Sequence, residues 1–308
     1  MFWGGMNMEL RVLRYFLAVA KTQSVSGAAE LLNITQPTIS RQLMDLEKEL
    51  GVTLFRRGRR NQKVTLTEAG TFLRKHAEEI VLLADKTEAA FSLSGDAVTG
   101  DIYICAGETD AARFLARTAK KLQERCPRIH YRISSGDSAD VEERLDKGLA
   151  DFGVMLGVVN MSRYEVQALP IKDKWGVLMR RDDPLAECET IRPQDLRDKP
   201  LILSRQTVSN AQILRWLDRP TEELNIVATY SLAYNAALMA AEGFGYTLAL
   251  DGLIHVSGDG DLCFRPLEKS PELPIYLVWK KYQAFSKAST LFLEQFRREI
   301  TEANSASV

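Results

Sequence analysis

The sequence predicts an all-α winged helix-turn-helix with a long helix behind it, followed by an α/β portion built on parallel strands. Three observations carry this. Residues 26–51, SGAAELLNITQPTISRQLMDLEKELG, read as two short helices across a tight turn. Residues 56–63, RRGRRNQK, are loaded with cations around Gly58 and contain no acid. Beyond Gly100, short β-favouring runs alternate with helix-length segments, the pattern of βαβ units.

Taken in order, a first helix over about 7–21 sets Leu10, Leu13, Leu17 and Ala20 on one stripe, with Phe16 beside it. Ser26 is the expected N-cap of the second helix and a candidate DNA contact, and Asn33 interrupts that helix. The third begins near Thr35 with Pro37 in its first turn, buries Ile39, Leu43, Leu46 and Leu50, and stops at Gly51. Its other face offers Gln36, Pro37, Thr38, Ser40 and Arg41, side chains suited to a major groove. Gln reads adenine, Arg forks onto guanine, and hydroxyls hold phosphates.

An amphipathic helix pair is also an ordinary feature of all-α cores, so spacing alone does not establish DNA binding. The basic stretch that follows tips the balance. Arg57, Arg59 and Arg60 sit at the tip of an expected hairpin bordered by Val64-Thr65-Leu66, where they would neutralise duplex phosphates. The whole chain of 308 residues has a net charge of −1, yet residues 1–67 carry a surplus of +5. Positive charge is therefore concentrated at the helix-turn-helix.

A long helix is expected from Thr67 to about residue 93, with a seam at Ala69, Leu73, His76, Ile80, Leu83, Thr87 and Ala90. Alternating steps of four and three are those of a coiled coil, so a second copy of the chain is the expected partner, with Leu73, His76, Ile80 and Leu83 as contacts. Residues 92–100, SLSGDAVTG, read as a hinge. Strands are expected at 102–104, 129–133, 152–156, 175–179, 201–203, 226–228, 246–250 and 275–279. Helices are expected at 110–124, 138–149, 210–217, 233–242 and 286–300.

Open α/β sheets bind ligands where helices start beyond strand ends. Four loops qualify: 106–110, 134–138, 204–207 and 231–235. Taken singly, their Ser, Thr and Asn residues are as well explained as helix caps.

The chain resembles the LysR-type transcriptional regulators, through LRYFLAVAKTQSVSGAAELLNITQPTISRQLMDLEKELGVTLFRR and then VTLTEAG. The resemblance implies a DNA-binding domain at 8–66, a dimerising helix at 67–95 and an effector-binding domain at 96–308, shaped like a periplasmic binding protein. Its subdomain I would span about 100–160 and 269–308, and subdomain II about 161–268, with chain crossings near 157–162 and 266–270. The loops would then converge on one cleft for a small-molecule effector, placing Gly107, Glu108, Thr109, Ser134, Gly136, Ser204, Gln206, Thr207 and Asn235 around it. Thr109 matches a pocket Thr of the family. Gly107 stands where Ser is usual, and Glu108 where an acid is uncommon. The family pattern further implies a double-stranded DNA operator as partner and a homodimer or tetramer.

Other classes find less support. An enzyme or a small-molecule-binding protein with an accessory helical domain is the alternative, but the three histidines, His76, His130 and His255, lack a catalytic setting. GFGYTLAL at Gly243 lacks the third glycine of a dinucleotide fingerprint. Cys105, Cys126, Cys188 and Cys263 show no metal or redox spacing, so no metal or cofactor is expected. No apolar run of about eighteen residues is present and the first residues lack signal-peptide character, which points to a cytoplasmic protein.

Overall fold

The computed structural model describes residues 8–56, 63–91, 98–209, 211–256, 258 and 260–306. The chain divides into two compact units, Met1–Leu93 and Ser94–Val308.

The first unit contains α1 (Leu10–Thr22), α2 (Val25–Leu32), α3 (Gln36–Leu50), a two-strand ribbon of β1 (Phe55–Arg56) and β2 (Thr65–Leu66), and α4 (Glu68–Phe91). In α1 the buried side is Val12, Leu13, Phe16 and Val19, while Leu10, Leu17 and Ala20 are only half-buried, so the core-facing stripe is rotated from the expected one. The cap of α2 is Ser24, whose Oγ accepts from Gly27 N at 3.1 Å. Ser26 is already inside the helix and exposed, because the chain turns two residues earlier than expected. Asn33 and Gly51 end α2 and α3 in the left-handed conformation. Ile39, Leu43 and Leu46 are buried, each side chain contributing about 1.5–3 kcal/mol of burial free energy, and Leu50 is half-buried.

The ribbon is tied to α3 by Glu47, whose Oε1 accepts from Leu54 N at 2.6 Å and Phe55 N at 3.2 Å. Phe55 then packs on Phe16, ring centroids 5.2 Å apart. Thr67 caps α4 by accepting from Gly70 N at 2.9 Å. Leu73 and Ala77 bury against the same core, and Arg14 of α1 pairs with Asp85 at 2.6 Å.

In the second unit, β3 (Thr99–Ala106), α5 (Ala112–Arg125), β4 (Arg128–Ser135), α6 (Ser138–Asp146), β5 (Phe152–Leu156) and β6 (Tyr164–Asp173) lead into β7 (Trp175–Arg180). There follow β8 (Leu201–Ser204), α7 (Arg205–Ser209), α8 (Ala211–Trp216), β9 (Ile226–Tyr230), α9 (Ala233–Ala241), β10 (Tyr246–Leu250), β11 (Leu262–Pro266), β12 (Leu273–Lys280) and α10 (Lys287–Ala306). They form two sheets, ordered β4-β3-β5-β12-β6 and β11-β7-β10-β8-β9. Both are mixed rather than parallel. β12 runs antiparallel to β5 and β6, and β7 runs antiparallel to β10 and β11.

Alternation along the first sheet supplies its two faces. Ile104, Val154 and Leu277 join Phe114, Phe292 and Phe296 on the side covered by α5 and α10, whereas Cys105, Met155 and Val278 join Val141 and Leu145 of α6 on the other. In the second sheet, α9 presents Ala233, Ala236, Ala237 and Ala240, small enough for close approach.

The chain leaves the first sheet at Asp173 and returns at Leu273. The first crossing therefore lies at 173–175, not near 157–162, because β6 pairs with β12 in the first sheet. β6 escaped the sequence reading since Pro170 lies within it. It is an edge strand, where a missing N–H is tolerated.

Candidate functional site

Two surfaces carry functional chemistry, one on each unit. On the first, α3 exposes Gln36, Pro37, Thr38 and Arg41, with Ser40 half-buried beside them. Gln36 Nε2 donates to Ser40 Oγ at 3.2 Å, Thr35 and Thr38 share a hydroxyl contact of 2.7 Å, and Arg41 lies 3.9 Å from Asp45. These contacts are local and solvent-exposed, so the side chains can exchange them for base edges and phosphates. Arg57, Arg59 and Arg60 lie outside the described residues.

On α4 the exposed apolar side differs from the expected seam. Leu73 is turned into its own unit's core, together with Ala77, and is not available to a second copy. Its place outside is taken by Phe72, 70% exposed, which continues through His76, Ile80, Leu83 and Phe91. Phe72 and His76 rings meet edge-on at 4.6 Å. A helix that packs on α1 along one side has its second apolar side a fraction of a turn away, and step counting alone merges the two.

In the second unit, an open cleft lies between the two sheets. The first sheet contributes Gly107 and Glu108 beyond β3, Gly136 and Asp137 beyond β4, and Leu156 at the end of β5. The second contributes Ser204, Arg205 and Gln206 beyond β8, and Tyr230 and Ser231 beyond β9. Trp175, Leu250, Leu253 and Leu273 supply apolar walls near the crossings. Apolar walls with a few placed polar groups, at strand ends where two halves meet, are the usual makings of a small-molecule site.

Five of the nine expected cleft residues, Gly107, Glu108, Gly136, Ser204 and Gln206, do line it. At Gly107 a Cβ would lie 3.0 Å from Leu156 Cδ1, a tight contact that a small shift of that side chain would relieve. At Gly136 a Cβ would come within 2.6 Å of Asp140 Cβ.

The other four are placed elsewhere. Thr109 is 5% exposed and turned inward, its Oγ1 accepting from Ala111 N at 3.1 Å and bonding the Asp173 carboxyl. Ser134 lies on β4 with its hydroxyl beside the Cys105 thiol. Thr207 is fully buried inside α7, its N–H donating at 3.0 Å to the Oγ of Ser204, which caps that helix. Asn235 is exposed on α9.

Asp137, rather than Ser138, caps α6: its Oδ1 accepts from Ala139 N and Asp140 N at 3.0 and 3.1 Å. Asp137, Arg205 and Ser231 lie in the expected loops 134–138, 204–207 and 231–235 but were not singled out, although Arg205 could have been noticed as a cation at a strand-to-helix turn; Tyr230 and the apolar walls lie outside those loops.

Two contacts span the cleft. Arg205 Nη2 reaches Asp137 Oδ2 at 3.0 Å, and Ala233 N donates to Glu108 Oε2 at 2.6 Å. Tyr230 is pointed away, donating to Leu248 O at 2.8 Å. Burial, with the Glu108 charge adding to it, pushes its phenol well above the usual range. Beneath the cleft, at the crossing, burial pushes the Asp173 carboxyl up to about 6; the Thr109 hydroxyl opposes this, and Asp110 and Asp251 reinforce it. Among the described residues, no group of three or more His, Cys, Asp or Glu could hold a metal ion.

A polar-faced helix on a winged bundle, combined with an open cleft between two α/β sheets, defines a ligand-responsive DNA-binding regulator. Comparison with known families gives the particular family. The LysR substrate binding domain matches residues 95–301, and the bacterial regulatory helix-turn-helix protein, lysR family, matches residues 10–71. The chain belongs to the LysR family of transcriptional regulators.

Among curated relatives, HTH-type transcriptional regulator BsdA of Bacillus subtilis (strain 168) is 27% identical over 94% of this chain and 100% of its own. Hca operon transcriptional activator HcaR of Escherichia coli (strain K12) is 29% identical over 89% of this chain and 92% of its own. Full-length CbnR, solved in complex with its target DNA, shares the fold with a TM-score of 0.71 at 21% identity, covering 95% of this chain and 100% of that one.

No helix among the described residues is long and apolar enough to cross a membrane.

Proposed function

We propose that this regulator binds a double-stranded operator with α3 in the major groove, acts as a homodimer or tetramer through the outer side of α4, and responds to a small molecule in the cleft. It works in the cytoplasm and regulates rather than catalyses. The observation that carries this reading is the division of α3 into two faces. Ile39, Leu43 and Leu46 hold it to the bundle, while Gln36, Pro37, Thr38 and Arg41 stand in solvent, with side-chain contacts only within α3 and its cap. Two copies joined along α4 would present two such faces to a two-fold operator. CbnR, bound to its target DNA, supports the same use of this fold.

Gel shifts on operator fragments test it. Arg41→Ala or Gln36→Ala is expected to relax sequence preference by roughly 1–3 kcal/mol per base contact. Arg59→Ala with Arg60→Ala is expected to weaken all sequences alike and to lower the salt slope by about one per phosphate lost. An intact protein that retards no DNA, or an unchanged salt slope in the double variant, overturns the assignment.

A further inference from the structure

The first turn of α9 faces the cleft from the second sheet, and its own N-cap residue, Leu232, has no side chain that can cap it. The N–H of Ala233 is bonded instead by Glu108, 125 residues away on the first sheet, at 2.6 Å. A carboxylate at a helix N-terminus is favoured both by its bond to the free N–H and by the helix dipole. Here the chain itself provides that carboxylate, and does so across the cleft. The remaining charged groups of the lining are Asp137 and Arg205, and these are paired with each other. The lining thus holds two carboxylates and one guanidinium, and its guanidinium is already engaged.

We propose that Glu108 is an internal anion, which occupies the carboxylate position at the α9 N-terminus and makes the cleft selective for cationic or neutral ligands. This deepens the effector-cleft reading and rests on it. An anionic ligand would have to displace Glu108 from Ala233 and sit beside its half-buried charge. A ligand with a cationic nitrogen meets no such competitor, and the apolar walls of Leu156, Trp175, Leu250 and Leu273 would take its body.

The contact can be tested without knowing the effector, by chemical rescue. Hydrogen exchange is followed across 232–236 in the full-length protein and in Glu108→Ala, in about 100 mM sodium acetate against the same concentration of sodium chloride. The variant is expected to exchange about 10-fold faster in chloride. Acetate, which fits the space the side chain leaves, should restore most of that protection, while the wild type is indifferent to the anion. Glu108→Gln, whose amide oxygen can still accept from Ala233 N but carries no charge, should keep part of the protection and show no acetate rescue, separating charge from volume.

Acetate protection of the wild type equal to that of Glu108→Ala overturns the proposal, since the position would then be open. Unchanged exchange in Glu108→Ala overturns it as well. These readouts do not depend on any effector, so they stand apart from failure of the effector-cleft reading itself, which would show as no ligand binding at the lining residues.

Discussion

Arg205 Nη2 lies 3.0 Å from Asp137 Oδ2, joining the two sheets of the second unit across the cleft. Asp137 is at the same time the cap of α6, so the ion pair is anchored in regular structure at that end. The Arg205 side chain is 58% exposed, and an exposed pair of this kind contributes about 0–1 kcal/mol. Arg205→Ala is therefore expected to shift the melting temperature little and to raise hydrogen exchange at 136–138 several-fold. A large loss of stability would mean that the pair holds the fold rather than the cleft.

The two sides of α4 predict opposite outcomes. Ile80→Glu places a charge on the outer side, where the partner's copy of the same charge would face it, so light scattering should find a monomer with near-normal melting. Leu73→Ala removes a side chain from the unit's own core and should cost about 2–4 kcal/mol of stability. A dimeric Ile80→Glu protein would move the interface elsewhere.

Gly70 is the closest approach in the first unit. A Cβ there would come within 2.1 Å of Leu54 O, a backbone atom that the Thr67 N–H also bonds at 3.0 Å. Gly70→Ala would ordinarily favour a helix, but here it is expected to destabilise by about 1–3 kcal/mol through overpacking, measured by urea titration. A more stable variant would show that α4 can shift away at no cost.

Asp173 predicts a pH dependence. Its folded pKa of about 6 exceeds the ordinary 3.8, so the folded state holds a proton that the unfolded state has released. The resulting contribution is fully present below about 3.8 and is lost as pH rises through about 6. Its Oδ2 is buried without a partner among the described residues, so the ionised form is poorly compensated. Asp173→Asn should leave stability near pH 4 unchanged and raise it at neutral pH by roughly 1–2 kcal/mol. An equal melting difference at both ends would exclude the titration as its cause.

Much of this architecture was legible in the residues. The step of Ile39, Leu43 and Leu46 identified the buried side of α3 and, by elimination, its polar face. Gly51 marked the end of that helix, and 175–179, 201–203 and 246–250 marked three strands of the second sheet. The loops beyond β3, β4, β8 and β9 were found because the end of a strand followed by a helix is a local pattern. Two of the misread elements had two apolar sides or an interrupted pattern. α4 buries Leu73 on one side and exposes Phe72 on the other, and β6 contains Pro170.

The sequence by itself determined most of the helices and strands, which face of α3 is free, and which family the chain resembles, because each is encoded in short-range periodicity or in contiguous motifs. Tertiary structure alone decided that Thr109 turns inward to Asp173, that Asp137 and Arg205 meet, and that Glu108 caps a helix 125 residues away. Those are pairings between groups brought together only when two sheets fold against one cleft. A side chain's local sequence specifies that it is polar, but not which distant N–H or carboxylate it will find.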